Sequence, residues 1–260
     1  MDTVKLYGKF LAIHLKSAMA YRGSFLLSCL GAMLVTANVF LGVVLLMARC
    51  ETIQGYTLPQ LTLGFAVILM ATSLAECFAR GLDSFSQVLA QAQFDRILVR
   101  PRGLLFQLLC QDMRPTMLSR VLQAIVMLLW AVRSGAVEWT AAKALVLVLM
   151  ILCGAAVFFG LFLVNATLCF FTTEGLEVMN IFTDGPREYG KCPFGVYGKP
   201  VLLVLTFLVP LALVQHWPLQ YLLDRGPGWY GLLPGVSLLF LLPCWGLWRL
   251  GGRLYRSTGS

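Results

Sequence analysis

Charge is scarce in this chain. Asp, Glu, Lys and Arg make up 12% of its 260 residues, about half the roughly 25% usual in a soluble domain. Histidine is scarcer still, with only His14 and His216 present. That leaves no histidine-based metal cluster, and neither G-x-S-x-G nor H-E-x-x-H occurs. No metal site and no catalytic set is therefore expected. The eight cysteines form no C-x-x-C pair. Most lie in or beside apolar runs, as reduced buried residues do, so a disulfide framework is not expected. The N-terminus has no early apolar run of the secretory type; lysines recur through it as far as Lys16. Long polar stretches are missing too. The net charge of +8 therefore has no folded soluble face on which to meet nucleic acid.

Apolar residues fill the chain instead, at 59% of the sequence and a mean hydropathy of +0.81. A membrane span needs about 20 mainly apolar residues, and six such runs occur, at about 24–48, 57–78, 116–132, 141–165, 200–216 and 230–248. The expected fold is all-α and polytopic, with six transmembrane helices in one transmembrane domain over 1–260. Positive charge sets the orientation. With both termini inside, only Arg49, Arg133, Lys143 and Arg225 of the twenty lysines and arginines lie outside. That bias accounts for the net charge without nucleic acid. Residues 1–23 read as an interfacial amphipathic helix, with Lys5, Lys9 and Lys16 on one arc facing lipid phosphates.

The outer loops are short. The inner ones, 79–115 and 172–199, hold the polar surface, so a partner is expected on that side. "GPREYGKC" at 185–192 comes near a phosphate-binding loop, but Cys192 replaces the hydroxyl residue and Pro193 follows. It reads as a Gly/Pro-punctuated loop. "NAT" at Asn165 matches a glycosylation sequon at the inner end of span 4, where it is a chance match. Ionisable and amide side chains at membrane depth are candidates for a substrate pathway. Asn38, Glu76 and Gln123 are the ones singled out, although Glu76 beside Arg80 reads first as a structural ion pair. Helix–helix hydrogen bonding explains Asn38 and Gln123 equally well.

The segment "QVLAQAQFDRILVRPRGLLFQLLCQDMRP" (87–115) is amphipathic and arginine-rich. A helix is expected up to Pro101, which stops or kinks it, and a second stretch restarts at "GLLFQLLCQDM". A short helix joined to spans at both ends can lie on lipid or dock in a groove on a soluble partner.

Asp95, Leu98, Arg100, Pro101, Leu105, Phe106 and Gln107 form a D-x-x-L-x-R-P-x-x-x-L-F-Q pattern. Together with "FGVYGKPVLLVLTFLVPLALVQHWPLQYLL" and the terminal "YRSTGS", it resembles the permease subunits of bacterial type-2 ATP-binding-cassette (ABC) exporters over nearly the whole chain. Phe194 stands where such permeases usually have Tyr. The resemblance implies a permease with no ATPase site of its own. It would bind no cofactor directly, and ATP and Mg would be used by a cytoplasmic ABC ATPase dimer beneath it. A second permease would complete the pathway, with a heterodimer expected over a homodimer. It further implies the bacterial inner membrane, both termini cytoplasmic, and a coupling helix in 79–115. By position the coupling candidates are Asp95, Arg96, Leu98, Arg100, Pro101 and Phe106. A carrier or channel not driven by ATP is the alternative. An intramembrane enzyme would need a deep acid, base or nucleophile set, and none occurs.

Overall fold

The computed structural model describes residues 3–49, 52–91, 94–135, 137–171, 181, 183–190, 192 and 194–254. Apart from an isolated bridge between Ile53 and Tyr56, the described residues form only helices, turns and connections. Helix α1 (Thr3–Ala20) buries none of its residues completely. Tyr21 alone separates it from α2 (Arg22–Met47). Next come α3 (Leu58–Asp83), α4 (Phe85–Ala90), α5 (Phe94–Leu98) and α6 (Leu104–Gln111). After them run α7 (Leu118–Arg133) and α8 (Ala141–Leu168).

Local chemistry explains where the long helices begin. The Thr57 N–H donates to Gln60 Oε1 at 3.2 Å, so a free donor at the start of α3 is satisfied from within its first turn. Thr140 Oγ1 accepts from the Lys143 N–H at 3.3 Å and caps α8. Gly135, at φ +71°, makes the left-handed turn between α7 and α8.

The last third is more broken. It contains α9 (Pro186–Tyr189), a 3₁₀ turn Phe194–Tyr197, and α10 (Lys199–Leu203) running into a π turn Val204–Leu208. Then come α11 (Leu211–Val214), α12 (His216–Leu222), α13 (Leu233–Ser237) and α14 (Leu241–Leu254).

Five stretches are long and apolar enough to cross a membrane: Arg22–Met47, Leu58–Leu89, Pro115–Arg133, Ala141–Leu168 and Gly228–Arg253. The sixth expected span, at about 200–216, is not a continuous helix. Lys199–Leu208 and Leu211–Leu222 meet at 88°. The cause is local. Pro210 has no N–H to continue a helix, and Val209 is extended at φ −127°, ψ 98°. Trp217 Nε1 donates to Thr206 Oγ1 at 3.5 Å and ties the two arms together.

Helix α3 is the axis of the bundle. It is buried along almost its whole length between α7 and α8. Close approach rests on small residues: a Cβ added at Gly154 of α8 would meet Ala71 Cβ and Val214 Cγ1, each at 2.9 Å. Apolar clusters lie along this axis. Leu61, Val67, Leu147, Leu219 and Leu222 pack toward the Leu58 end. Phe85, Phe94, Leu108, Phe162 and Trp248 pack toward the Asp83 end. Part of the stretch read as the 172–199 loop is packed against the axis. Gln215 Nε2 donates both to Gly64 O of α3 (3.1 Å) and to Gly190 O (2.7 Å). Residues 172–180 lie outside the described residues.

Candidate coupling site

At the Asp83 end, the amphipathic segment forms three short helices clamped to the bundle. Helix α6 lies so close on α3 that a Cβ at Gly81 would collide with the Leu108 carbonyl oxygen. Phe85 of α4 and Phe94 of α5 meet edge to face at 5.3 Å. Both pack on Phe170, just past the end of α8, at 5.1 and 5.7 Å. Phe170 in turn meets Trp248 of α14 at 5.4 Å. Edge-to-face aromatic packing of this kind is worth about 0.5–1.5 kcal/mol per pair beyond burial. The segment is therefore a rigid attachment to α3, α8 and α14.

Helix α1 closes the other side. Tyr7 Oη donates to the Phe78 carbonyl at 2.8 Å, and His14 Nε2 lies 3.0 Å from the Cys110 carbonyl. Burial pushes the Tyr7 phenol up to about 12, helped by the nearby Cys110 and Cys77, so it stays a neutral donor at physiological pH.

Between α1 and the coupling segment lies a cavity of about 490 Å³. Leu6, Phe10, Ile97 and Phe106 supply its apolar walls, and Arg96, Arg100 and Arg102 its charge. The three arginines are exposed and pair with no described acidic residue. Of the candidates read from sequence, Arg96, Arg100 and Phe106 thus come together. Leu98 and Pro101 are exposed nearby. Asp95 lies on α5, and its side chain is outside the described residues. The helix breaks before Pro101, and Gln107 Nε2 donates to the Arg102 carbonyl at 2.7 Å across the restart.

Directly above this segment is a buried ionic cluster. Glu76 Oε2 accepts from Arg120 Nη1 of α7 at 3.1 Å, and Glu76 Oε1 from Arg80 Nη1 at 3.4 Å. Arg80 also reaches Asp83 Oδ2 at 2.7 Å. Asp83 Oδ1 accepts from Asn165 Nδ2 of α8 at 3.1 Å. Three helices are thus joined by charge at the level where the coupling segment begins. The Nε atoms of Arg80 and Arg120 are buried without a hydrogen-bond partner, so the cluster is not fully satisfied. The Glu76–Arg80 pair was legible from i, i+4 spacing. Arg120 was not, because its partner is on another helix; its only signal was a charge inside the third apolar run.

The three pathway candidates do not converge. Glu76 belongs to the ionic cluster. Asn38 is exposed on α2, and Gln123 is half-buried on α7 with its Oε1 unpartnered. Lys143, expected in an outer connection, is buried on α8 and donates to Asp224 Oδ2 at 2.6 Å. In "GPREYGKC", residues 186–189 form one helical turn, with Gly190 against Ile68 of α3, and among the described residues no strand precedes it as a phosphate-binding loop would need.

No curated protein and no solved structure matches the chain. The family model of the ABC-2 family transporter proteins matches residues 33–259, which takes in all of α3 to α14. A helical multi-pass membrane domain with a rigid, arginine-bearing segment after its second span agrees with that match, and the chain belongs to the ABC-2 family of transporter proteins as a permease subunit.

Proposed function

We propose that this chain is the membrane half of an ATP-driven exporter and that a cytoplasmic ABC ATPase docks at its coupling segment. One observation carries the reading. The Arg96, Arg100 and Arg102 cavity is rimmed by unpaired charge, yet its walls are fastened to α3 through the Gly81–Leu108 contact. An acidic helix end with apolar neighbours would fill it, because unpaired guanidinium groups over an apolar floor suit a carboxylate-bearing amphipathic surface. A push there reaches three spans through the ionic cluster above. Coupling requires that ATPase contacts differ between two states of the transporter. The resemblance to type-2 ABC permeases supports the remaining parts of the proposal. ATP and Mg are handled by the ATPase dimer, a second permease completes the pathway, the membrane is the bacterial inner one and both termini are cytoplasmic.

The test is charge reversal. Arg96→Glu with Arg100→Glu should abolish co-purification of the ATPase in mild detergent, while insertion and the amount of folded permease stay unchanged. An ATPase that remains bound at one copy per permease would sink the assignment.

A second reading has one observation in its favour. The break at Val209–Pro210 interrupts an apolar span, and interrupted spans are common in carriers that run without ATP. Isolation of the chain from native membranes after cross-linking, with no ATPase attached, would select it.

A further inference from the structure

A second cavity lies at the opposite end of the bundle. It measures about 390 Å³ and is lined by Gln54, Tyr56, Gly195, Leu202, His216, Gln220 and Arg225. Neither the export reading nor the family assigns it a role. Its polar lining carries donors and no carboxylate. Asp224, next in sequence to Arg225, is held by Lys143.

His216 is the centre of the argument. It is 93% buried, at 7% exposure. The Gly195 N–H donates to its Nδ1 at 3.3 Å. A nitrogen that accepts cannot carry the proton of a neutral imidazole, so the proton sits on Nε2. Gly195 permits this approach, since a Cβ there would collide with the imidazole ring. Trp217 packs edge-on at 5.0 Å and limits ring rotation. Among the described residues nothing accepts from Nε2–H, so the ring presents this donor to the cavity that it lines.

Two further donors stand beside it. Tyr56 Oη accepts from Gln220 Nε2 and has the Arg225 guanidinium over its ring at 4.9 Å. Its own proton is therefore free to be given. Arg225 spends one terminal nitrogen on Gly55 O (2.7 Å) and Gln60 Oε1 (3.3 Å). That anchors the group beside Tyr56, with which it also hydrogen-bonds, and the N–H donors not so used are available.

We infer that this cavity binds an acceptor-rich anionic group of the phosphate class, held by His216 Nε2–H, the Tyr56 hydroxyl and Arg225. An oxyanion has enough lone pairs to accept from all three of these donors, which line one cavity. The same chemistry occurs in a free phosphate and in a phospholipid headgroup.

The chain has only two histidines, so ¹⁵N-histidine labelling of the full-length protein gives two imidazoles, with His14 as the internal control. The protein is placed in phosphatidylcholine nanodiscs and compared with and without added inorganic phosphate. It is then compared with nanodiscs containing phosphatidylglycerol. His216 should show the Nε2–H tautomer. Its Nε2 resonance should move with phosphate or phosphatidylglycerol while His14 stays put, and the arm that moves it identifies the source. Tyr56→Phe and Arg225→Gln should each raise the anion concentration needed at least ten-fold. An Nδ1–H tautomer, an unmoved His216 in both arms, or equal movement at His14 and His216 would each overturn the inference. None of these readouts needs the ATPase, so the site stands or falls separately from the export reading.

Discussion

Helices α2 and α3 are both 26 residues long and sit next to each other in the chain, yet their surroundings are opposite. The span in α2 has the higher hydropathy, 2.3 against 1.8 for Leu58–Leu89, but only 17% of it is buried in the protein against 89%. In water the more apolar helix would be expected inside. In a bilayer lipid is as apolar as leucine, so apolarity gives a helix no reason to seek other helices. Burial follows close packing and polar pairing instead. Helix α3 carries Gly64, Ala66, Ala71, Thr72, Ser73, Ala75, Ala79 and Gly81 on buried positions, along with Glu76. Helix α2 turns Leu26, Leu27, Leu30, Leu34, Leu45 and Leu46 outward.

Four variants sharpen this contrast, each measured as thermal stability of the purified protein in one detergent. The largest effect is expected at the ionic cluster of α3. Glu76→Gln leaves Arg120 buried and without its carboxylate, which costs about 3–5 kcal/mol. Glu76→Met together with Arg120→Met removes both charges and should recover most of that loss. If the double variant is no better than the single one, the uncompensated Arg120 charge is not the source of the loss. Gly154→Leu comes next. It forces a side chain into Ala71 and Val214 and should cost about 1–3 kcal/mol or more by overpacking. Parent-like melting of this variant would mean that α3 and α8 are not in close contact. The smallest effect belongs to α2. Nothing lies within 4 Å of a Cβ at Gly31, so Gly31→Ala should change stability by no more than about 1 kcal/mol, in the stabilising direction because glycine is a poor helix former. A clear loss there would reveal that α2 is covered by protein in the working assembly.

The same physics separates what was readable from what was not. Five spans were legible because twenty apolar residues in a row have few other destinations; four agree to within about five residues at both ends, while the second runs on to Leu89, past its expected end near 78. The amphipathic segment after the second span was legible because arginines and an amphipathic period interrupt that pattern, and Pro101 marks its break. Arg96, Arg100 and Phe106 do meet at one cavity. The broken span at Val209 and Pro210 was missed because "VLLVLTFLVPLALV" has the composition of a span on both sides of its proline. Hydropathy does not register an 88° turn.

Sequence alone determined where the apolar segments lie, the skew of positive charge toward one side and the placing of the polar segment after the second span. These depend on composition and local spacing, which the chain carries in one dimension. Tertiary structure alone decided which apolar helix became the axis, that Arg120 would meet Glu76, that Lys143 would be buried against Asp224, and that His216, Tyr56 and Arg225 would line one cavity at the end of the bundle opposite the arginine-bearing segment. Each depends on which residues of distant segments face one another, and in a bilayer that choice is made by steric fit and polar partnership between helices.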